Sequence, residues 1–140
     1  MKRYIGTKII HAVPEVHGET GREGYVVRYA DGYESWSPKE AFEEAYRACN
    51  AMSFGLAIEA LKKGHKVARR GWNGKGMFLY YVPAAAYPAQ RNALGTMVGV
   101  FPDDMVPYCA YIAMKTAQDN VVPWLASQTD MLSDDWEIVQ

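Results

Sequence analysis

The chain has 140 residues, 49% of them apolar and 22% charged, with 15 Lys and Arg against 16 Asp and Glu for a formal net charge of −1. That length suits one compact domain, or one domain with a small accessory module, and the apolar share is enough for a real core. The charge balance excludes the bulk basic surface that holds long nucleic acids, whereas a small anionic ligand needs only two or three local cations.

Cys49 and Cys109 stand far apart without metal-ligand spacing, which fits two reduced thiols. The opening Met1-Lys2-Arg3-Tyr4-Ile5-Gly6 is basic and lacks an apolar run of signal-peptide length. No segment approaches the roughly 18 apolar residues of a membrane span. These features predict a soluble intracellular protein.

Residues 1–50 read as a unit of two strands and a helix. Residues 5–13 are strand-like, 16–23 form a polar connection, and Tyr25-Val26-Val27-Arg28-Tyr29 is a second strand closed by the turn signal Asp31-Gly32. Ser37-Pro38-Lys39-Glu40 has the form of a capping box with proline in the first helical position, opening a helix to about residue 48.

Residues 51–140 read as a second unit. Ser53 is a candidate N-cap, and Phe54, Ala57, Ile58 and Leu61 follow at helical spacing. Lys62, Lys63 and Gly64 close that helix with cations at its negative end and glycine just beyond. Strand-like segments follow at 66–72, 77–82, 108–116, 121–126 and 136–139. Asn73-Gly74-Lys75-Gly76 and Ala117-Gln118-Asp119-Asn120 supply hairpin turns. The expected fold is α+β: a mostly antiparallel sheet with one packed helix, preceded by a small α+β module. Residues 83–107 form an unusually long connection carrying Met97-Val98-Gly99-Val100-Phe101, as a lid or an assembly contact would.

The chemistry concentrates in two stretches. In Arg69-Arg70-Gly71-Trp72-Asn73, an extended backbone would put Arg70 and Trp72 on one face and Arg69 on the other. A guanidinium beside an indole suits a nucleotide, one pairing with phosphate and the other stacking on the base. Asn73 can read a base edge or a ribose hydroxyl. The same stretch also reads as an edge hairpin with no ligand. In the second stretch, 122–136, Pro123 belongs at a sheet edge or bulge, and Ser127 to Asp130 resembles a helical turn whose amides could meet an anion. Trp124 suits a ligand-facing role and Trp136 the core. His11, His17 and His65 have no nucleophile or metal partner at telling spacing, and Asp103-Asp104 and Asp134-Asp135 read as solvated or capping doublets. Neither a Walker nor a Rossmann phosphate loop is present.

Four segments, Ser53-Phe54-Gly55-Leu56-Ala57-Ile58, Val67-Ala68-Arg69-Arg70-Gly71-Trp72-Asn73-Gly74, Tyr111-Ile112-Ala113-Met114-Lys115-Thr116 and Pro123-Trp124-Leu125-Ala126-Ser127-Gln128-Thr129-Asp130, occur in this order. Together they resemble the Thoeris anti-defence type 2 family of phage and prophage proteins. The resemblance implies a non-enzymatic sponge. Such proteins bind glycocyclic ADP-ribose made by TIR-domain defence enzymes and withhold it from its effector, and some also hold cyclic dinucleotides at a separate site. It implies a homotetramer with pockets between protomers, acting in the cytoplasm of the infected bacterial host, with no cofactor, catalytic residue or metal and no membrane partner. By motif it implies Arg70, Trp72, Asn73, Trp124, Ser127, Thr129 and Asp130 as pocket residues, with Met77 and Phe78 as walls. Residues 1–50 lie outside the minimal family domain, although Gly32-Tyr33-Glu34-Ser35-Trp36-Ser37-Pro38 resembles a module that recurs in phage proteins. Two other classes remain open from the residues: an enzyme that destroys such signals, and a phage protein–protein interaction module.

Overall fold

The computed structural model describes residues 1–92 and 94–140. The chain divides into two compact units, Met1–Ala51 and Met52–Gln140. It is α+β, with ten strands in antiparallel sheets and three α-helices among the described residues. No helix is long and apolar enough to cross a membrane among the described residues.

In the first unit, β1 (His11–Val16), β2 (Glu23–Arg28) and β3 (Glu34–Pro38) form a three-stranded sheet in the order β1-β2-β3. Its register runs Val13↔Val26↔Trp36. The helix α1 (Lys39–Ala45) follows directly and lies over β2 and β3, with the Phe42 ring stacked 4.0 Å from that of Tyr25. Four details differ from the sequence reading. The first strand begins at His11 rather than at residue 5, because the six residues of β2 are all paired by His11–Val16 and leave nothing for 5–10. The segment 34–38 is a third strand, not a prelude to the helix. Ser37 is therefore paired opposite Tyr25 in that strand, and Pro38 stands at the cap with no side-chain cap hydrogen bond. The helix ends at Ala45 rather than near 48.

In the second unit, α2 (Phe54–Lys62) begins where the Ser53 hydroxyl accepts from the Leu56 amide at 3.4 Å. It ends in a Schellman motif: His65 N–H donates to Ala60 O (3.1 Å) and Gly64 N–H to Leu61 O (2.9 Å). Gly64 sits at φ +95°, a conformation that side-chain-bearing residues resist.

The helix lies on a five-stranded antiparallel sheet of β4 (Lys66–Arg69), β5 (Phe78–Val82), β8 (Tyr111–Lys115), β9 (Val121–Pro123) and β10 (Trp136–Val139). The order is β10-β4-β5-β8-β9, so the last strand returns to lie beside the first, and Met52 closes on Trp136 through a pair of backbone hydrogen bonds. Alternation places Val67, Leu79, Met114 and Ile138 toward α2, where they join Ala57, Ala60, Leu61 and the fully buried Trp136 in one core. Lys66, Phe78, Tyr80 and Lys115 take the opposite face. Prolines stand in the edge strands, Pro14 in β1, Pro38 in β3 and Pro123 in β9, where the missing N–H is harmless and blunts pairing with other chains.

The segment 83–107 is not one open connection. It holds β6 (Ala85–Pro88), paired with β7 (Met105–Tyr108), and a single 3-10 turn, Pro102–Asp104, before β7. Residue 93 of that segment lies outside the described residues. Tyr108 ends β7, so the strand expected at 108–116 narrows to Tyr111–Lys115.

Gly24 is the tightest point of the first sheet: a Cβ there would collide with the carbonyl oxygen of Ser37 and the Trp36 ring. Gly24→Ala should destabilise the first unit by at least about 2 kcal/mol, as overpacking against backbone does, read in a thermal melt followed by Trp fluorescence.

Candidate functional site

Strand β4 stops at Arg69 and the chain turns. Trp72 N–H donates to Arg69 O (3.2 Å) and Arg70 N–H to Asp135 O (3.1 Å). Gly71 N–H donates to Asp135 Oδ2 at 2.9 Å, and a Cβ on Gly71 would stand 2.8 Å from the same oxygen. The expected extended stretch at 70–72 is therefore absent, and with it the shared strand face of Arg70 and Trp72. Trp72 folds back toward the core instead, with its centroid 5.4 Å from Trp136 at 78° and 6.4 Å from Trp124 at 60°. Trp124 in turn lies 5.9 Å from Trp136 at 82° and 6.1 Å from Phe54. Edge-to-face packing of this kind is what the indole quadrupole favours. Trp136 is fully buried, as its alternating neighbours suggested, while Trp72 and Trp124 are half-buried at the rim.

The rim is held by an ion network. Arg69 donates from Nη1 to Asp130 Oδ1 and from Nε to Asp135 Oδ1, each at 2.9 Å. Asp130 Oδ1 also accepts from the Trp72 indole N–H (3.3 Å), and its main-chain oxygen accepts from the Trp136 indole N–H (2.9 Å). Its Oδ2 accepts from Ser127 N–H (3.0 Å), while Ser127 Oγ accepts from Asp130 N–H (3.0 Å), a capping box that opens α3 (Gln128–Leu132). The box takes up the Ser127 and Asp130 amides that an anion would otherwise meet. Partial burial pushes the Asp130 carboxyl up, yet the hydrogen bonds from Ser127, Arg69 and Trp72 together outweigh it and hold the group below its ordinary 3.8. Asp135 is likewise depressed, first by Arg69, against burial and with help from Gly71 N–H.

The remaining sequence candidates divide by place. Arg70 and Asn73 are exposed on the turn beside Trp72. Met77 packs over Gly74, its side chain occupying the place a Cβ on that glycine would take. Phe78 lies on the sheet face away from α2, with Lys66 Nζ 5.0 Å from its ring and Tyr80 6.2 Å away, so it is not in the Trp72 group. Thr129 is exposed on α3, and its main-chain oxygen accepts from Ser133 Oγ at 2.6 Å. Sequence reading missed Arg69, which it assigned to the opposite face, and Asp135, which it treated as a solvated or capping turn residue. Their partners lie 61 and 66 residues away, a separation that leaves no local signal.

The Arg69, Asp130 and Asp135 side chains are 14%, 13% and 26% exposed, between a surface pair and a buried one. Arg69→Ala should cost about 2 kcal/mol, measured by denaturant unfolding. The pH dependence follows from the two depressed carboxyls. Their contribution is complete above the unfolded value near 3.8 and is lost as the pH falls below it, through the lower folded values. Melting temperature should fall steeply below that point in the wild type, and less steeply in Arg69→Ala.

Comparison with known proteins matches this second unit. The model of the Thoeris anti-defense 2-like domain matches residues 52–139. The protein named Thoeris anti-defense 2 from Bacillus phage SP01 is 42% identical over 88 residues, which cover 63% of this chain and 94% of that protein. The family match leaves residues 1–51 uncovered. The chain belongs to the Thoeris anti-defense 2 family of anti-defence proteins.

Proposed function

We propose that this protein binds a cyclic nucleotide immune signal of the glycocyclic ADP-ribose type and withholds it, unaltered, from the effector it would activate in the cytoplasm of an infected bacterium. Cyclic dinucleotides are the second ligand class in this reading. The observation that carries it is the pair of half-buried indoles, Trp72 and Trp124, fixed edge-to-face on buried Trp136 beside a turn that exposes Arg70 and Asn73. A base stacked on such a ring gains about 1–3 kcal/mol, and a guanidinium on the adjoining turn can pair with a diphosphate. Ser127 caps α3 and Thr129 lies exposed on it, both close in sequence to Asp130, which holds Trp72 in place. Asp130 and Asp135 are committed to Arg69 and held below the ordinary carboxylate range. That fits fixing a ring in place better than shuttling a proton, which favours capture over hydrolysis.

The second unit carries the proposed site alone, and we place its pockets between protomers of a homotetramer. Exposed Leu94, Val98 and Val100 supply apolar surface for assembly. Light scattering should give a tetramer mass at micromolar concentration; a monomer would remove pockets between protomers. A protein truncated to begin at Ala51 should fold and keep its affinity within about twofold.

Arg70→Ala should weaken ligand binding by about one to two orders of magnitude with an unchanged melting temperature, since the side chain is exposed. Trp72→Ala should lose a similar factor and also some stability, because the ring packs on Trp136. Titration calorimetry and melting curves separate the two losses. Ligand recovered intact after denaturing the complex is the result expected of capture; an altered product would make the protein an enzyme.

A further inference from the structure

Residues 1–51 lie outside the family match at 52–139, and the phage relative is covered over 94% of its length by an 88-residue match. The first unit therefore needs its own account. While α1 covers β2 and β3, every residue of β1 is exposed. Between β1, β2 and α1 lies a cleft of about 350 Å³, within the roughly 300–1,000 Å³ of small-ligand sites. Its apolar wall is Pro14, Val16 and Tyr25, the last braced by Phe42. Its rim carries the carboxylates Glu23 and Glu43 against one cation, Lys39, while Glu15, between Pro14 and Val16 in the strand, takes the opposite face of β1. Two more carboxylates, Glu40 and Glu44, lie exposed on the same short helix.

The cleft already holds an ammonium group loosely. Lys39 Nζ is 3.5 Å from Glu23 Oε2, with side chains 47% and 73% exposed, so the pair is weak and open to exchange. The Tyr25 hydroxyl donates to Glu43 Oε1 at 2.9 Å. Tyr25 and Lys39 both keep their protons more tightly than usual, Tyr25 chiefly through that hydrogen bond and Lys39 chiefly through the charge of Glu23 and then Glu43. The Lys39 shift, set first by the charges of Glu23 and Glu43, marks a negative potential at that edge of the cleft.

We propose that this cleft docks a basic segment of a partner protein, taking a lysine or arginine side chain with its aliphatic stem along Pro14, Val16 and Tyr25 and its cationic head between Glu23 and Glu43. A long side chain fits this division, because its stem covers apolar surface while its head stays with the carboxylates and water. Lys39 is the resident cation that an incoming head displaces from Glu23. The surplus of carboxylates on α1 steers such a segment toward the cleft. The proposal is independent of the ligand reading for the second unit.

The test uses the full chain, no nucleotide, and a fluorescein-labelled alternating glycine–lysine hexapeptide read by fluorescence anisotropy at low salt, with a glycine–glutamate peptide beside it. The lysine peptide should bind saturably and lose affinity as salt approaches physiological strength. The double variant Glu23→Gln/Glu43→Gln should bind it about fivefold more weakly. Glu43→Gln keeps an oxygen that can accept from Tyr25, and a melting curve verifies the fold. Lys39→Gln should tighten binding about threefold, by freeing Glu23 from its resident cation. The charge-matched variant Glu59→Gln/Glu137→Gln, in the second unit, should bind as the wild type does. Equal losses in the two double variants would reduce the effect to net charge and overturn the proposal. So would weaker binding by Lys39→Gln, or glutamate-peptide binding as tight as that of the lysine peptide. Self-association that Glu23→Gln/Glu43→Gln abolishes would put the basic 1–8 segment of a second copy in the cleft, overturning a foreign partner.

Discussion

Arg69 is the point at which three distant parts of the second unit are tied together. Its guanidinium spans Asp130 at the start of α3 and Asp135 just before β10, while its own backbone ends β4. The fork geometry matters, because two N–H directions reach two separate carboxylates at once, which a lysine could not do in the same fixed geometry. Each carboxylate then does a second task. Asp135 receives Gly71 N–H and turns the chain after β4, and Asp130 receives the Trp72 indole N–H and caps α3. The exposed candidates Arg70 and Asn73 owe their place on a turn to this arrangement.

The aromatic group depends on the same network. Trp136 is buried on β10 and donates its indole N–H to the main-chain oxygen of Asp130, so the largest core side chain keeps no unsatisfied polar atom. Trp72 and Trp124 can then pack their edges against it and stay half-exposed. A rim of this kind is preorganised: the rings do not have to be ordered when a ligand arrives, and that ordering cost is a large part of what weak binding sites lose. Phe78 stands on the other sheet face, so the wall residue expected from the sequence and the Trp72 group do not meet within one chain. In the proposed tetramer they would have to come together from different protomers.

The first unit is built on a thinner core. Of its large apolar side chains only Val27 is fully buried, and Val13 and Val16 of β1 are 61% and 59% exposed. Packing there relies on the Tyr25–Phe42–Tyr46 stack and on Trp36, which lies over Gly24 and donates to Glu15 O. Small units with few buried side chains gain little from burial alone. The same economy leaves β1 uncovered and opens the acidic cleft beside α1.

Local patterns in the sequence were sufficient for α2, from the Ser53 cap to the glycine stop, and for the 117–120 turn, the edge position of Pro123 and the burial of Trp136. Each depends on neighbours within a few residues: helical or strand period, capping chemistry, or a missing N–H. The family was legible too, because its motifs run in order through the second unit. The length of β1 and the existence of β3 were not, since a strand lasts only as long as its partner pairs with it. Nor was the pairing of β6 with β7 across the 83–107 segment. At the candidate site the sequence named the indoles, Asp130 and the turn residues, but not the structural part of Arg69, which it set on the opposite strand face. Period-two alternation cannot foresee where a strand ends. Tertiary structure decided that point, because Asp130 and Asp135, more than sixty residues downstream, capture the guanidinium of Arg69 and the amide of Gly71 and turn the chain there.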